Sequence, residues 1–341
     1  MARGTGSPLD PDKLLDDYRH YDRGVDIVSI YQWLFTETKE LPSTVAHFER
    51  YPRIPVSDEV TLTPDFTVLF HDGRGIAGEI ANTARHEGSI ESLCSQLQKY
   101  SRLTELPNAG GGMSPVDPID VLWLTPMETA TAAVRRVFER FDDPTHDYKP
   151  LRRPVVVQFS SNPDNYVLQF WPDKSVTGAL APTDVFSYAD FDEDMKVPPD
   201  KFKHVKVKYA FMNDPVKPLY LATRLWTSIF PSQFGTSEEF VATTQEIAEV
   251  VKAQYGHVRT ADVEAAMGIL RAAGLATDAK PRWRVRRRKL RHLGEVHEAI
   301  AGLVDRGTSE PRRRKGSSQG ELALFDLDSE SGLIDPSAVA D

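Results

Sequence analysis

Cys94 has no second thiol to pair with in the 341 residues, so an intrachain disulfide is impossible and a zinc site built from several cysteines is excluded. Also missing is any run approaching the roughly 20 apolar residues that cross a bilayer. Met1 to Pro11 is polar and lacks the apolar region of a signal peptide, so a cytoplasmic protein without membrane association is expected. There is no excess of positive charge: the net charge of −9 argues against a uniformly basic coat for nucleic acid. No Gly-Lys-Ser/Thr occurs, so the Gly-rich segment Asn108 to Ser114 is a loop and not a phosphate-binding one. The single G-x-S-x-G pattern, Gly316 to Gly320, lacks the flanking strand and helix that a nucleophile elbow requires.

Positive charge, where present, is concentrated. Arg282, Arg284, Arg286, Arg287, Arg288, Lys289 and Arg291 fall in one stretch, and Arg312, Arg313, Arg314 and Lys315 in another. A single run of this kind is usually a solvated face, but two near one DNA-binding-like module suit local phosphate contacts on an acidic protein.

Hydrophobic spacing gives the element order. Residues 1–20 are expected to be disordered. Ile27, Ile30, Tyr31 and Leu34 give a helical stripe from Ile27 to about Glu40. A Pro-containing stretch follows. Phe66, Val68 and Phe70 alternate with Thr67 and Leu69, Asp72-Gly73 makes a turn, and a return strand runs from about Gly75 to Thr83. A helix from about Ser89 to Leu103, a strand at Val121 to Leu124, a helix from Glu128 to about Phe141 and strands at Val155 to Phe159 and Tyr166 to Phe170 complete an α-β-β-α-β-α-β-β order. That order suits a central mixed sheet flanked by helices.

Residues 181–235 form a connecting region without an assigned role, helical from Tyr220 to Phe230. Beyond them, Thr243 and Glu246 fit a capping box. Ile247, Val250, Val251 and Tyr255 form one helical stripe, and Val263, Met267 and Leu270 form a second after Thr260. A basic strand around Trp283 and Val285 and a helix at Val296 to Val304 follow. Residues 236–306 therefore resemble a small winged-helix-like α+β domain. Residues 307–341, rich in Ser, Gly, Pro and charge, are expected to be a disordered tail.

One cluster points to chemistry. Pro64-Asp65 opens the first hairpin strand. Glu79 lies in the second, within Gly78-Glu79-Ile80-Ala81-Asn82, and the next helix carries Gln96 and Tyr100 at Q-x-x-x-Y spacing. In this order the motifs resemble the PD-(D/E)XK nuclease superfamily, in its RecB-like branch, over about residues 27–175. The resemblance implies a restriction-endonuclease-like core in residues 21–180. It also implies a Mg²⁺ or Mn²⁺ ion held by Asp65, Glu79 and the Ile80 carbonyl, because phosphodiester hydrolysis needs a hard cation with oxygen ligands. Gln96 and Tyr100, four apart, share a helix face. The family's lysine falls at Ala81 here, and Lys99 is its migrated candidate. Glu37 and Glu49 are candidate supporting acids. His71 and His86 are expected on loops, and Cys94 in the core.

The implied function is metal-dependent cleavage of DNA, the winged-helix-like module holding duplex through Arg282, Arg284, Arg286, Arg287, Arg288 and Lys289. Repair, phage and anti-phage defence settings all fit such an activity. The rival is a catalytically impaired DNA-binding or scaffold subunit, favoured by Ala81. In the tail, Glu321-Leu322-Ala323-Leu324-Phe325 resembles the short peptides that dock on bacterial sliding clamps, and Gln319 offers a looser start.

Overall fold

The computed structural model describes residues 9–38, 44–57, 59–81, 87–162, 164–171, 195–212, 214–235, 237–256, 258–279, 281–287 and 295–308. Asn82, His86, Arg288, Lys289, Arg291, the Arg312–Lys315 cluster and the Glu321–Phe325 segment lie outside them.

In the first part of the chain, helix α1 (Pro11–Glu37) leads to strands β1 (Val45–Arg50), β2 (Ile54–Pro55), β3 (Thr61–Leu62), β4 (Phe66–Phe70) and β5 (Gly75–Ile80). Helix α2 (Glu87–Tyr100) is followed by β6 (Glu105–Pro107), β7 (Met113–Pro115) and β8 (Ile119–Pro126). Next come α3 (Met127–Asp142), β9 (Val155–Ser161), β10 (Tyr166–Phe170), β11 (Met195–Val197) and α4 (Pro199–Lys208). The second part holds α5 (Pro218–Arg224), a π-helical turn (Leu225–Ile229) and α6 (Phe230–Gln233). It continues with β12 (Glu239–Thr243), α7 (Thr244–Tyr255), α8 (Thr260–Ala272), β13 (Ala276–Ala279), β14 (Arg282–Arg286) and α9 (Val296–Thr308).

The main sheet has seven strands in the order β1-β4-β5-β8-β9-β10-β11, parallel only at β5/β8 and β8/β9. Period-two alternation sorts its residues to two faces. Phe66, Val68, Phe70, Leu122 and Leu124 pack with Ile27, Tyr31 and Phe35 of α1 and Phe202 of α4. Ala77, Val121, Trp123 and Val156 pack with Leu93 and Leu97 of α2 and Val134 and Phe138 of α3. The β4–β5 hairpin closes at the expected Asp72-Gly73, where Gly73 has φ 86°. Gly78 has a different reason to be glycine: a Cβ there would sit 2.2 Å from the Phe66 ring, which lies across the strand.

The second core surrounds a three-stranded antiparallel sheet ordered β12-β14-β13. Trp283 and Val285 of β14 face Ile247, Val263, Met267 and Leu270. The Thr243–Glu246 capping box forms as expected at the start of α7.

Three differences from the sequence reading have physical causes. Residues 11–20, expected to be loose, are helical: Asp10 caps α1 by accepting from the Asp12 and Lys13 amides at 3.1 and 3.3 Å, and Pro11 suits the first turn. Their sparse stripe of Leu14, Tyr21 and Val25 is buried in the second core, so one helix serves both cores. Strand β1 arises inside the Pro-containing stretch because β4 offers it a pairing edge. Residues 181–235 are not a separate connector in their described part. Val197 and Phe202 belong to the sheet's core, and Leu219 to Phe230 belong to the second one.

Candidate functional site

Strand register brings the two acidic residues together. Phe66 pairs with Gly78, which sets Asp65 opposite Glu79 on the face of the sheet covered by α2. The Asp65 amide donates to the Gly78 carbonyl at 2.9 Å. The Ile80 amide donates to Asp65 Oδ2 at 2.7 Å, so Asp65 is held by the strand carrying its partner. Tyr100, in the last turn of α2, donates its hydroxyl to Glu79 Oε2 at 3.1 Å. Asp65 Oδ1 and Glu79 Oε1 have no hydrogen bond among the described residues.

Like charges directly opposite on an antiparallel pair repel, and both carboxylates are half-buried. Burial pushes the Asp65 carboxyl up to about 7, against the Ile80 amide, and the charge of Asp214 adds to the rise. Glu79 stands well above the usual carboxylate range through burial and the neighbouring Asp65, with the Tyr100 hydrogen bond opposing. No cation among the described residues contributes to either shift. A site of this kind favours either a shared proton or a bound positive charge.

Other expected site residues are placed less centrally. Gln96 is half-buried on α2 and makes no side-chain hydrogen bond among the described residues, while Lys99 is exposed. The Ile80 amide serves Asp65. Glu37 pairs with His204 at 2.7 Å, and Glu49 pairs with His47 at 3.2 Å. Cys94 is buried in the core as expected. Among the described residues no group of three His, Cys, Asp or Glu side chains could hold a metal, so any ion would rest on the Asp65–Glu79 pair with other oxygens completing its shell.

On β14 the alternation is as the spacing implies: Arg282, Arg284 and Arg286 are exposed, and Trp283 and Val285 are buried. The strand beside it supplies a counter-charge. Glu239 of β12 reaches Arg284 at 3.1 Å and Arg286 at 3.4 Å. Arg287 is half-buried and donates to the Gly235 carbonyl at 2.5 Å. No helix among the described residues is long and apolar enough to cross a membrane.

Sequence reasoning missed two residues beside the acidic pair. Tyr51 donates its amide to the Asp65 carbonyl at 3.0 Å. It precedes Pro52, a position that favours extended backbone, yet it has φ 50°, the left-handed region that costs a residue with a side chain. Its hydroxyl is buried without a hydrogen-bond partner among the described residues. Asp214, whose charge both carboxylates feel, lines a cavity of about 720 Å³ with Glu49, Tyr51, Arg53, Arg259 and Asp262. The Tyr-Pro pair was the one local signal, and Asp214 left none because only the tertiary fold brings it near. No protein-family model, curated protein or solved structure matches the chain.

Proposed function

We propose that the chain is a metal-dependent DNA nuclease of the PD-(D/E)XK kind. One observation carries the reading: Asp65, Glu79 and Tyr100, three of the motif positions that the sequence resemblance singles out, lie in direct or adjacent contact at one end of the β4–β5 hairpin. The order α1, β1, β4, β5, α2, β8 around them agrees with the expected restriction-endonuclease-like core.

The donor set suits a hard divalent cation. Two carboxylates, both raised by burial and Glu79 raised further by Asp65, each have one oxygen without a hydrogen bond among the described residues, and Mg²⁺ commonly takes one or two carboxylates plus waters and substrate phosphate. Bound there, Mg²⁺ or Mn²⁺ would supply charge to the scissile phosphate and a more acidic water. The protein's own part is positioning. Ile80 fixes the Asp65 carboxylate through its amide, and Tyr100 fixes the Glu79 carboxylate through its hydroxyl. The half-buried setting strengthens each electrostatic contact over its value in water.

The second part has the order helix, strand, helix, helix, strand, strand with β14 central, as winged-helix modules do. It is assigned the holding of duplex DNA by phosphate contacts from Arg282, Arg284 and Arg286. The test is incubation of the chain with linear, circular, single-stranded and branched DNA in Mg²⁺ or Mn²⁺, with EDTA as control. Metal-dependent cleavage is expected.

A specific observation favours the alternative of a DNA-binding or scaffold protein without catalysis. Ala81 occupies the family's lysine position, Lys99 is exposed, and neither carboxylate feels its charge. DNA binding with no cleavage under any of these conditions would select that alternative. If cleavage occurs, Lys99→Ala should lower its rate far more than DNA affinity, as a charge acting in the transition state must.

A further inference from the structure

Helix α4, in the stretch that the sequence left without a role, reads Pro-Asp-Lys-Phe-Lys-His-Val-Lys-Val-Lys. Phe202 and Val205 anchor it to the sheet. Lys206 is spent on ion pairs with Asp22 and Asp26 at 2.8 and 2.6 Å. Lys201, Lys203 and Lys208 are exposed, and no carboxylate pairs with them among the described residues. A solvated face is the usual fate of such lysines, but this one leads to a cleft with an unsatisfied interior.

The cleft, about 510 Å³, is lined by Gln32, Glu49, Arg50, Tyr51, Lys208 and Tyr209, among others. Its volume is in the range that holds one small ligand, and far below what a duplex needs. Arg50 is half-buried at its wall. Its guanidinium donates to Gln32 Oε1 at 2.5 Å, the Tyr209 carbonyl at 2.9 Å and Ser29 Oγ at 2.8 Å. All three acceptors are neutral, and one N–H remains on each terminal nitrogen, the paired arrangement that grips a phosphate. Burial draws the Arg50 charge down to about 10 with no carboxylate opposing it. The Lys208 ammonium and the Arg50 guanidinium both lie 5.0 Å from the centre of the Tyr209 ring, so one aromatic ring at the cleft carries two cation contacts. Glu49 lines the same cleft, but its carboxylate is engaged with His47. Tyr51 adds the buried hydroxyl that lacks a partner, and its backbone is bonded to Asp65.

We propose that the cleft bounded by Arg50, Tyr51, Lys208 and Tyr209 binds a phosphodiester of a single DNA strand that follows the lysine face of α4. This rests on the nuclease reading and names the form of substrate that the site takes. The strand's charge compensates Arg50 and Lys208, and the Tyr51 hydroxyl gains an acceptor. Cleft volume selects one strand over two.

The experiment measures binding of the full chain to a short fluorescent oligothymidylate, and to a duplex of equal length, across a salt series in EDTA. Removing Lys201, Lys203 and Lys208 together (K201Q/K203Q/K208Q) should weaken oligothymidylate binding and flatten the log-affinity against log-salt slope by about 2, at roughly 0.7 per single-strand phosphate contact. Duplex binding should change little. Tyr51→Phe should weaken single-strand binding several-fold while leaving Tm unchanged or higher, because the hydroxyl it removes is unpaired in the free protein. An unchanged slope in the triple variant, an equal loss on duplex, or no oligothymidylate binding by the unmodified chain would overturn the proposal. Binding needs no metal, so the two readings fail separately. Loss of slope in a chain that never cleaves leaves the strand site standing and removes the nuclease. Cleavage by a chain whose triple variant keeps its slope does the reverse.

Discussion

The two sheets carry charge in opposite ways. On the large sheet, Asp65 and Glu79 are half-buried, directly opposed and without a cation partner among the described residues. On the small sheet, Arg284 and Arg286 are exposed and share the carboxylate of Glu239. Exposed pairs of the second kind are worth little to stability in either direction. An opposed pair of the first kind costs stability, and such a cost persists where a ligand recovers it. The comparison therefore separates an acidic pair with no counter-charge among the described residues from a surface that already has one.

The largest expected effect is on catalysis. Asp65→Ala or Glu79→Ala should reduce metal-dependent cleavage to background while the far-ultraviolet circular dichroism stays native. Two variants that cleave like the unmodified chain would remove the acidic pair from the mechanism.

Stability should move the other way. Asp65→Asn or Glu79→Gln keeps the hydrogen-bond acceptor and deletes the repulsion, so metal-free protein should gain about 1 kcal/mol after allowance for solvent screening, a few degrees in Tm. The sign with pH follows from a carboxyl pushed up to about 7 in the folded state. Its ionisation opposes folding, so the gain of Asp65→Asn is largest above pH 7 and fades as pH falls toward the unfolded value. Thermal melts in EDTA at several pH values measure it. A destabilised Asn variant above pH 7 would mean that the pair is held by compensation not visible in its contacts.

On the small sheet, Glu239→Gln should strengthen duplex binding a few-fold at low salt by releasing Arg284 and Arg286. Arg284→Gln with Arg286→Gln should flatten the salt slope by less than the roughly 1.8 expected for two free phosphate contacts. If Glu239→Gln changes nothing, that face does not meet DNA, and it becomes a candidate for docking protein.

The smallest effect belongs to Asp26, which joins α1 to α4 through Lys206 and accepts from Tyr166 at 2.6 Å. Burial, opposed by Lys206, raises its carboxyl to about 6. Its ionisation therefore costs folding free energy above that pH. The unmodified chain should gain stability relative to Asp26→Asn as pH falls from 7 toward 4, read as a difference of Tm values. A constant difference would show that Asp26 does not titrate in that range.

Local features were legible in the sequence and long-range ones were not. The Asp72-Gly73 hairpin, the Thr243–Glu246 box and the Arg-Trp-Arg-Val-Arg alternation each depend on neighbours a few positions apart, and all three appear in the fold. The meeting of Asp65 with Glu79 was also legible, because one hairpin turn fixes that register. The first half of α1 was missed because its three buried apolar positions are separated by charge, and their partners lie some two hundred residues away. Strand β1 was hidden by flanking prolines. Lys208 of α4 was printed plainly but had no recognised neighbour until Arg50 and Tyr51 lay beside it.

Helix α1 has a mechanical consequence. At 27 residues it is a rod of roughly 40 Å, with Leu14 and Tyr21 seated in one core and Ile27 to Phe35 in the other. Gly24, near its middle, lies against the end of the Met212 side chain, which a Cβ there would have to displace. A hinge between the cores would have to break this rod or slide it past Met212. The acidic pair and the arginine strand are thus held like two jaws of a fixed-span calliper. The two cores should therefore melt in a single transition.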